Sequence, residues 1–171
     1  MLSDNNTPID QENFDDQKKA FMREAIRLSI ENVEHGKGGP FGAVVVKDGV
    51  IVGKGANLVT TTNDPTAHAE VVAIRRACQN LGTFQLEGCE IYCSCEPCPM
   101  CLGAIYWARP DKIYYANTKH DAADIEFDDH FIYQELEREY HERSVPIIQL
   151  LRNEAIVAFR KWADSELKKE Y

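Results

Sequence analysis

From Asp15 onward apolar residues fall at helical spacing, with Phe21, Ala25 and Leu28 in one line and Met22, Ile26 and Ile30 widening the stripe, until Gly36 stops the run. This predicts an amphipathic covering helix. Residues 1 to 14 carry few apolar groups to bury and read as a flexible N-terminal arm. Phe41 to Lys47 and Val50 to Ala56 are β-rich runs separated by Asp48-Gly49, a strong hairpin signal that predicts an antiparallel pair. Asn57 to Asp64 is a polar loop with three threonines, of the kind that lines a pocket beside a catalytic helix. Asp64-Pro65 then predicts a helix start, aspartate as N-cap and proline at the first helical position, and Val71, Val72, Ile74, Ala77 and Leu81 carry that helix to Gly82. Cys89 to Ser94 predicts a third strand, Cys98 to Trp107 a helix, and Lys112 to Ala116 a fourth strand. The last two strands, joined through a helix, should run parallel in a right-handed crossover. Asp128 to Glu139 reads as an acidic helix, Val145 to Leu151 as a fifth strand and Glu154 to Lys169 as a closing helix. The order α-β-β-α-β-α-β-α-β-α over residues 15–171 predicts one three-layer α/β/α domain around a mixed five-stranded sheet, with no repeat and no linker.

Composition agrees with that picture and narrows the partners. A chain of 171 residues supports one domain with a sizeable core, and 44% hydrophobic with 27% charged residues is ordinary for a globular protein. The net charge of -9 gives no general attraction to a phosphate backbone, so nucleic acid is not the expected partner. The N-terminal stretch has no apolar core of a leader, and no later stretch approaches the length of a membrane span. The expected compartment is the cytoplasm, with no membrane partner. All six cysteines lie between Cys78 and Cys101, which suits a reduced metal cluster better than a disulfide framework.

The chemistry concentrates in His68-Ala69-Glu70 and Pro97-Cys98-Pro99-Met100-Cys101. One imidazole and two thiolates suit tetrahedral zinc and leave its fourth corner open for water. Zinc lowers the pKa of such a water from about 15.7 to 7, and Glu70 is the natural proton carrier beside it. Other readings compete. Cys93, Cys95, Cys98 and Cys101 can form a closed structural knuckle without His68, although four ligands crowded so closely are unusual for one. Cys95-Glu96-Pro97-Cys98 can be a redox pair, but that motif accounts neither for the second CxxC nor for His-Ala-Glu. On a regular helix two residues lie about 200° apart, so spacing alone does not aim His68 and Glu70 at one metal.

H-x-E followed by P-C-x-x-C is the signature of zinc nucleobase deaminases. The element order and both motifs resemble the cytidine deaminase superfamily. Within it, Gly39-Pro40-Phe41-Gly42-Ala43-Val44, Asn63 to Glu70, Ser94 to Pro110 and Phe127-Asp128-Asp129 are similar to the bacterial guanine deaminases, over about Glu24 to Glu139. The resemblance implies one zinc per subunit on His68, Cys98 and Cys101, with Glu70 as the main proton shuttle. It implies that Asn57 and the nearby backbone hold a purine, that Phe41 stacks on it, and that Asp129 is a second acid on the exocyclic amine side. It further implies a homodimer with exchanged C-terminal segments, in which Trp107 and Tyr171 help close the pocket. Without it, Phe41 is by default a core residue, Asn57 a turn residue, Trp107 plain core, and Asp128-Asp129 a solvated helix start.

The implied activity is hydrolytic deamination of guanine to xanthine and ammonia by a zinc-bound hydroxide, a step of purine catabolism. Rival readings are a guanosine, cytosine, adenine or tRNA adenosine deaminase on the same scaffold, and a zinc-stabilised binding subunit without chemistry. The closing lid favours a free base over a nucleoside, the acidic charge disfavours tRNA, and the presence of Glu70 disfavours a subunit that has lost its chemistry.

Overall fold

The structure is a computed structural model that describes residues 11–127 and 129–171. The chain divides into two compact units, 1–129 and 130–171. In the first, helix α1 (Gln11–Glu34) begins within the expected arm, whose residues 1–10 lie outside the described residues. Strands β1 (Gly42–Lys47) and β2 (Val50–Ala56) form the expected hairpin, with Asp48 and Gly49 both at positive φ, as a tight two-residue turn requires. Helices α2 (Val59–Thr62), α3 (Ala69–Leu81), strand β3 (Cys89–Cys95), helix α4 (Pro99–Ala108), strand β4 (Lys112–Asn117) and the short helix α5 (Lys119–Ala123) follow. In the second, α6 (His130–Glu137), a 3-10 turn and α7 (Arg152–Ala163) complete the chain.

The sheet order is β2-β1-β3-β4, antiparallel except for the parallel pair β3/β4 joined through α4. Alternation along β1 sorts the core into two layers. Val44 and Val46, with Tyr92, face Phe21, Met22 and Leu28 of α1. Ala43 and Val45 face the other way, into a cluster with Ala69, Ala73 and Ala77 of α3 and Ile105 and Ala108 of α4. Period-2 alternation with apolar residues on both faces is the mark of a strand covered by helices on each side, so the three-layer expectation holds.

The sheet has four strands among the described residues, and the fifth strand expected over 145–151 is not formed. Pro146 has no amide hydrogen for a ladder, and Leu151 turns left-handed at φ 54° to open α7. The second unit contains no buried residue of its own: Ile148 is 82% exposed and Leu167 90%. Apolar residues at 145–151 are therefore a signature of surface to be covered, which alternation alone does not distinguish from a strand. Among the described residues no helix is long and apolar enough to cross a membrane.

What positions the site is the approach of α3 to β2. A Cβ added at Gly55 would lie 2.0 Å from the Ala69 carbonyl oxygen and 2.6 Å from the Ala73 nitrogen. Only glycine lets the helix backbone settle on the strand there.

Candidate functional site

Both metal-ligand motifs sit at helix starts, though not as the spacing predicts. Asp64 does not cap α3. Its Oδ1 accepts from the Thr66 amide at 2.8 Å and the Thr66 hydroxyl at 2.6 Å, closing a turn, and the helix starts four residues later with His68 in the N-cap position. Pro65 is equally at home in a turn, which is why the pair misleads. His68 is extended at φ −68°, ψ 156°, while Glu70 lies in the first helical turn. Helical angular spacing therefore does not apply between them, and both reach one place. Cys98 caps α4 in the same extended conformation, with Pro99 first in the helix and Cys101 inside it. The positive end of a helix favours thiolates at such positions.

Cys98 Sγ and Cys101 Sγ lie 3.6 and 3.5 Å from His68 Nδ1. Tetrahedral zinc, with Zn–S of about 2.3 Å and Zn–N of about 2.0 Å, sets a sulfur–nitrogen edge of about 3.5 Å. Both sulfur–nitrogen distances thus already match the edge of a zinc tetrahedron, and all three ligand atoms lie within 4.8 Å of one another. The hydrogen bond with Cys101 holds the Cys98 thiol down to about 4, opposed by burial and aided by His68. The same bond to Cys98, together with burial, keeps the Cys101 thiol well above its ordinary range. One imidazole nitrogen and two sulfurs make a donor set that a dication of borderline softness matches.

Glu70 is 7% exposed, and its Oε2 accepts from Cys101 Sγ at 3.4 Å. Burial pushes its carboxyl above the usual range, the direction that eases proton uptake. The hydrogen bond to Cys98 raises His68, against the effect of burial. Above these groups opens a cavity of about 330 Å³, lined by Phe41, Asn57, His68, Glu70, Cys98 and Asp129 among others. Asn57 is 6% exposed and tightly held: its amide donates to the Phe41 carbonyl at 3.1 Å, and its Oδ1 accepts from the Val59 amide at 3.3 Å. The expected polar loop around it contains α2, a short turn of helix built from the threonines.

Phe41 meets Phe127 edge-on, with ring centroids 5.0 Å apart. Phe127 and Glu96 also line the cavity, and neither is among the site residues predicted from sequence. Glu96 accepts from the Lys119 amide at 3.1 Å and ties the cysteine loop to α5, a role that only the approach of β4 to β3 creates. The hint for Phe127 is its place in the Phe127-Asp128-Asp129 motif, of which Asp128 lies outside the described residues. Trp107 is 65% exposed on α4 and does not line the cavity, and Tyr171 is an exposed residue of the second unit.

Residues 15–117 match the family described as the cytidine and deoxycytidylate deaminase zinc-binding region. The chain is 54% identical to the guanine deaminase of Bacillus subtilis over 153 residues, covering 90% of this chain and 98% of that one. The crystal structure of guanine deaminase from that organism superposes with a TM-score of 0.87 over the same shares of both chains. A tRNA-specific adenosine deaminase of Aquifex aeolicus is 43% identical, over 60% of this chain and 69% of its own. Matched from α1 to the end of β4, with the ligand geometry of a tetrahedral zinc site in place, this chain belongs to the cytidine and deoxycytidylate deaminase family that carries this zinc-binding region.

Proposed function

We propose that the protein catalyses hydrolytic deamination of guanine to xanthine and ammonia. The observation that carries this reading is a buried carboxylate, Glu70, beside the His68, Cys98 and Cys101 ligand set at the floor of a cavity sized for a base. Identity along 90% of the chain supports guanine over the tRNA adenosine reading, which matches 60% of it. The net charge of -9 also disfavours a polyanionic substrate.

His68, Cys98 and Cys101 would hold zinc, which when bound would supply the Lewis acidity that makes water nucleophilic near neutral pH. Glu70 takes the proton of the attacking water and delivers it to N3 as the oxygen adds to C2 of the purine. The hydroxyl now on C2 gives up its proton, passed through Glu70 or Asp129, to the C2 amine, which leaves as ammonia as the C2 carbonyl forms, so that one water is consumed for each guanine. Asn57 and its neighbouring backbone hold the base, and Phe41 stacks on it. The reaction belongs to the breakdown of purines in the cytoplasm.

We also propose that the functional unit is a homodimer with exchanged C-terminal segments, in which Trp107 and Tyr171 help close the pocket. The support is the second unit's own composition: Val145, Ile148, Leu150, Phe159 and Leu167 are all exposed, a load of apolar surface that monomers rarely leave bare. Light scattering that returns the mass of one chain, 19.4 kDa, would refute the dimer.

Purified, zinc-loaded protein incubated separately with guanine, guanosine, cytosine and adenine tests the activity by ammonia release. Ammonia from guanine alone is the expected result. Release from guanosine or cytosine instead would overturn the assigned pocket, and silence with all four would overturn the reaction.

A further inference from the structure

Helix α1 takes no part in the proposed chemistry, yet one of its side chains reaches the frame of the cavity. Asn32 is 3% exposed, and its Nδ2 donates to two main-chain carbonyls, that of Gly39 at 2.9 Å and that of Asn57 at 2.8 Å. Gly39 stands two residues before Phe41, and Asn57 directly follows β2, so one amide group joins the two segments that line the cavity on that side. We propose that Asn32 is a positioning residue for substrate, holding the Asn57 and Phe41 backbones at a fixed separation. The inference rests on the reading that Asn57 binds the base.

The local geometry leaves few other ways to hold that separation. The Asn57 amide is committed to the Phe41 carbonyl and its side-chain oxygen to the Val59 amide, so the orientation of the Asn57 side chain follows its backbone. That backbone is fixed on its carbonyl side by Asn32. The junction is packed to its limit: a Cβ at Gly38 would lie 2.3 Å from the Asn57 carbonyl oxygen and 3.2 Å from Asn32 Nδ2. A buried amide is costly unless its donors are used, and both uses here lead to the cavity wall.

Asn32→Asp keeps the shape of the side chain and replaces the donor with oxygen, so two carbonyls lose their partner. With the full-length, zinc-loaded protein, KM for guanine should rise about tenfold, the equivalent of about one hydrogen bond. Turnover should change by less than about threefold, because the loss falls on ground state and transition state alike. Zinc content should stay at the wild-type value. A merely structural asparagine would lower the melting temperature and leave KM unmoved, and that result overturns the proposal. A fall in kcat at unchanged KM overturns it as well. Should Asn32→Asp not fold, Gly38→Ala strains the same junction from the other side and must raise KM; an unchanged KM there refutes the clamp. Wild-type protein silent on guanine overturns the proposed function and this inference together, whereas active wild type with an unaffected Asn32→Asp variant overturns the inference alone.

Discussion

Gly55→Ala is the most informative single perturbation, because it adds one methyl group at a position that never touches substrate. The new Cβ would stand 2.0 Å from the Ala69 oxygen, and ordinary contact begins at 3.4 Å, so α3 must retreat by about 1.4 Å at this point. Ala69 lies between His68 and Glu70, so the retreat is transmitted to both. The zinc site tolerates little of it: sulfur–nitrogen distances of 3.5 and 3.6 Å already match a tetrahedral edge of about 3.5 Å. Overpacking of this kind costs about 1–3 kcal/mol of stability, and a misplacement of about 1 Å in a catalytic constellation costs about 10²-fold in rate. The expected variant is folded, melts lower, carries less zinc per chain and turns guanine over about 10²-fold more slowly. Metal content by atomic spectroscopy, melting by circular dichroism and ammonia release at saturating guanine measure the three quantities. Full zinc occupancy with unchanged kcat would refute the argument that helix–strand approach sets the site.

Glu70→Gln should keep its zinc and lose about 10²–10⁴-fold in kcat, the usual contribution of a general acid–base; near-normal turnover would remove Glu70 from the mechanism. Dialysis against a chelator should abolish ammonia release and lower the melting temperature, with both restored by zinc alone, and activity that survives metal removal would contradict the role of the His68, Cys98 and Cys101 set. Glu24 provides a pH test away from the site. The Arg27 guanidinium, assisted by Lys54 and opposed by burial, holds its carboxyl down to about 2 from an ordinary 4.5. A folded value below the unfolded one means stability present above pH 4.5 and lost as pH falls from 4.5 towards 2. Glu24→Gln should therefore flatten the fall in melting temperature across that window, and parallel curves for variant and wild type would exclude the contribution.

Much of the framework is legible in the chain because it is written in local signals. The Asp48-Gly49 turn with its flanking β-branched runs specifies the hairpin, since only residues tolerant of positive φ close it. The periodicity of Phe21, Ala25 and Leu28 marks α1, and the residue types of His68, Cys98 and Cys101 favour zinc, because thiolate and imidazole donors suit it whatever the fold. Where signals are ambiguous the reading slips. Asp64-Pro65 serves a helix start and a turn equally well, and the apolar residues of 145–151 mark surface to be covered without saying by what.

Sequence alone therefore determined the inventory: two helix-start motifs, a donor set for zinc, a proton carrier and the strands that flank them. Tertiary structure decided what that inventory does together. His68 and Glu70 converge because His68 is a non-helical cap, Asn57 is aimed because Asn32 reaches it from a helix 25 positions earlier in the chain, and Glu96 braces the cavity because β4 lies beside β3. The reason is physical. Residue chemistry and backbone preference act within a few positions along the chain, whereas the distances that make a tetrahedral site or a carbonyl clamp exist only once separate segments are packed at van der Waals contact.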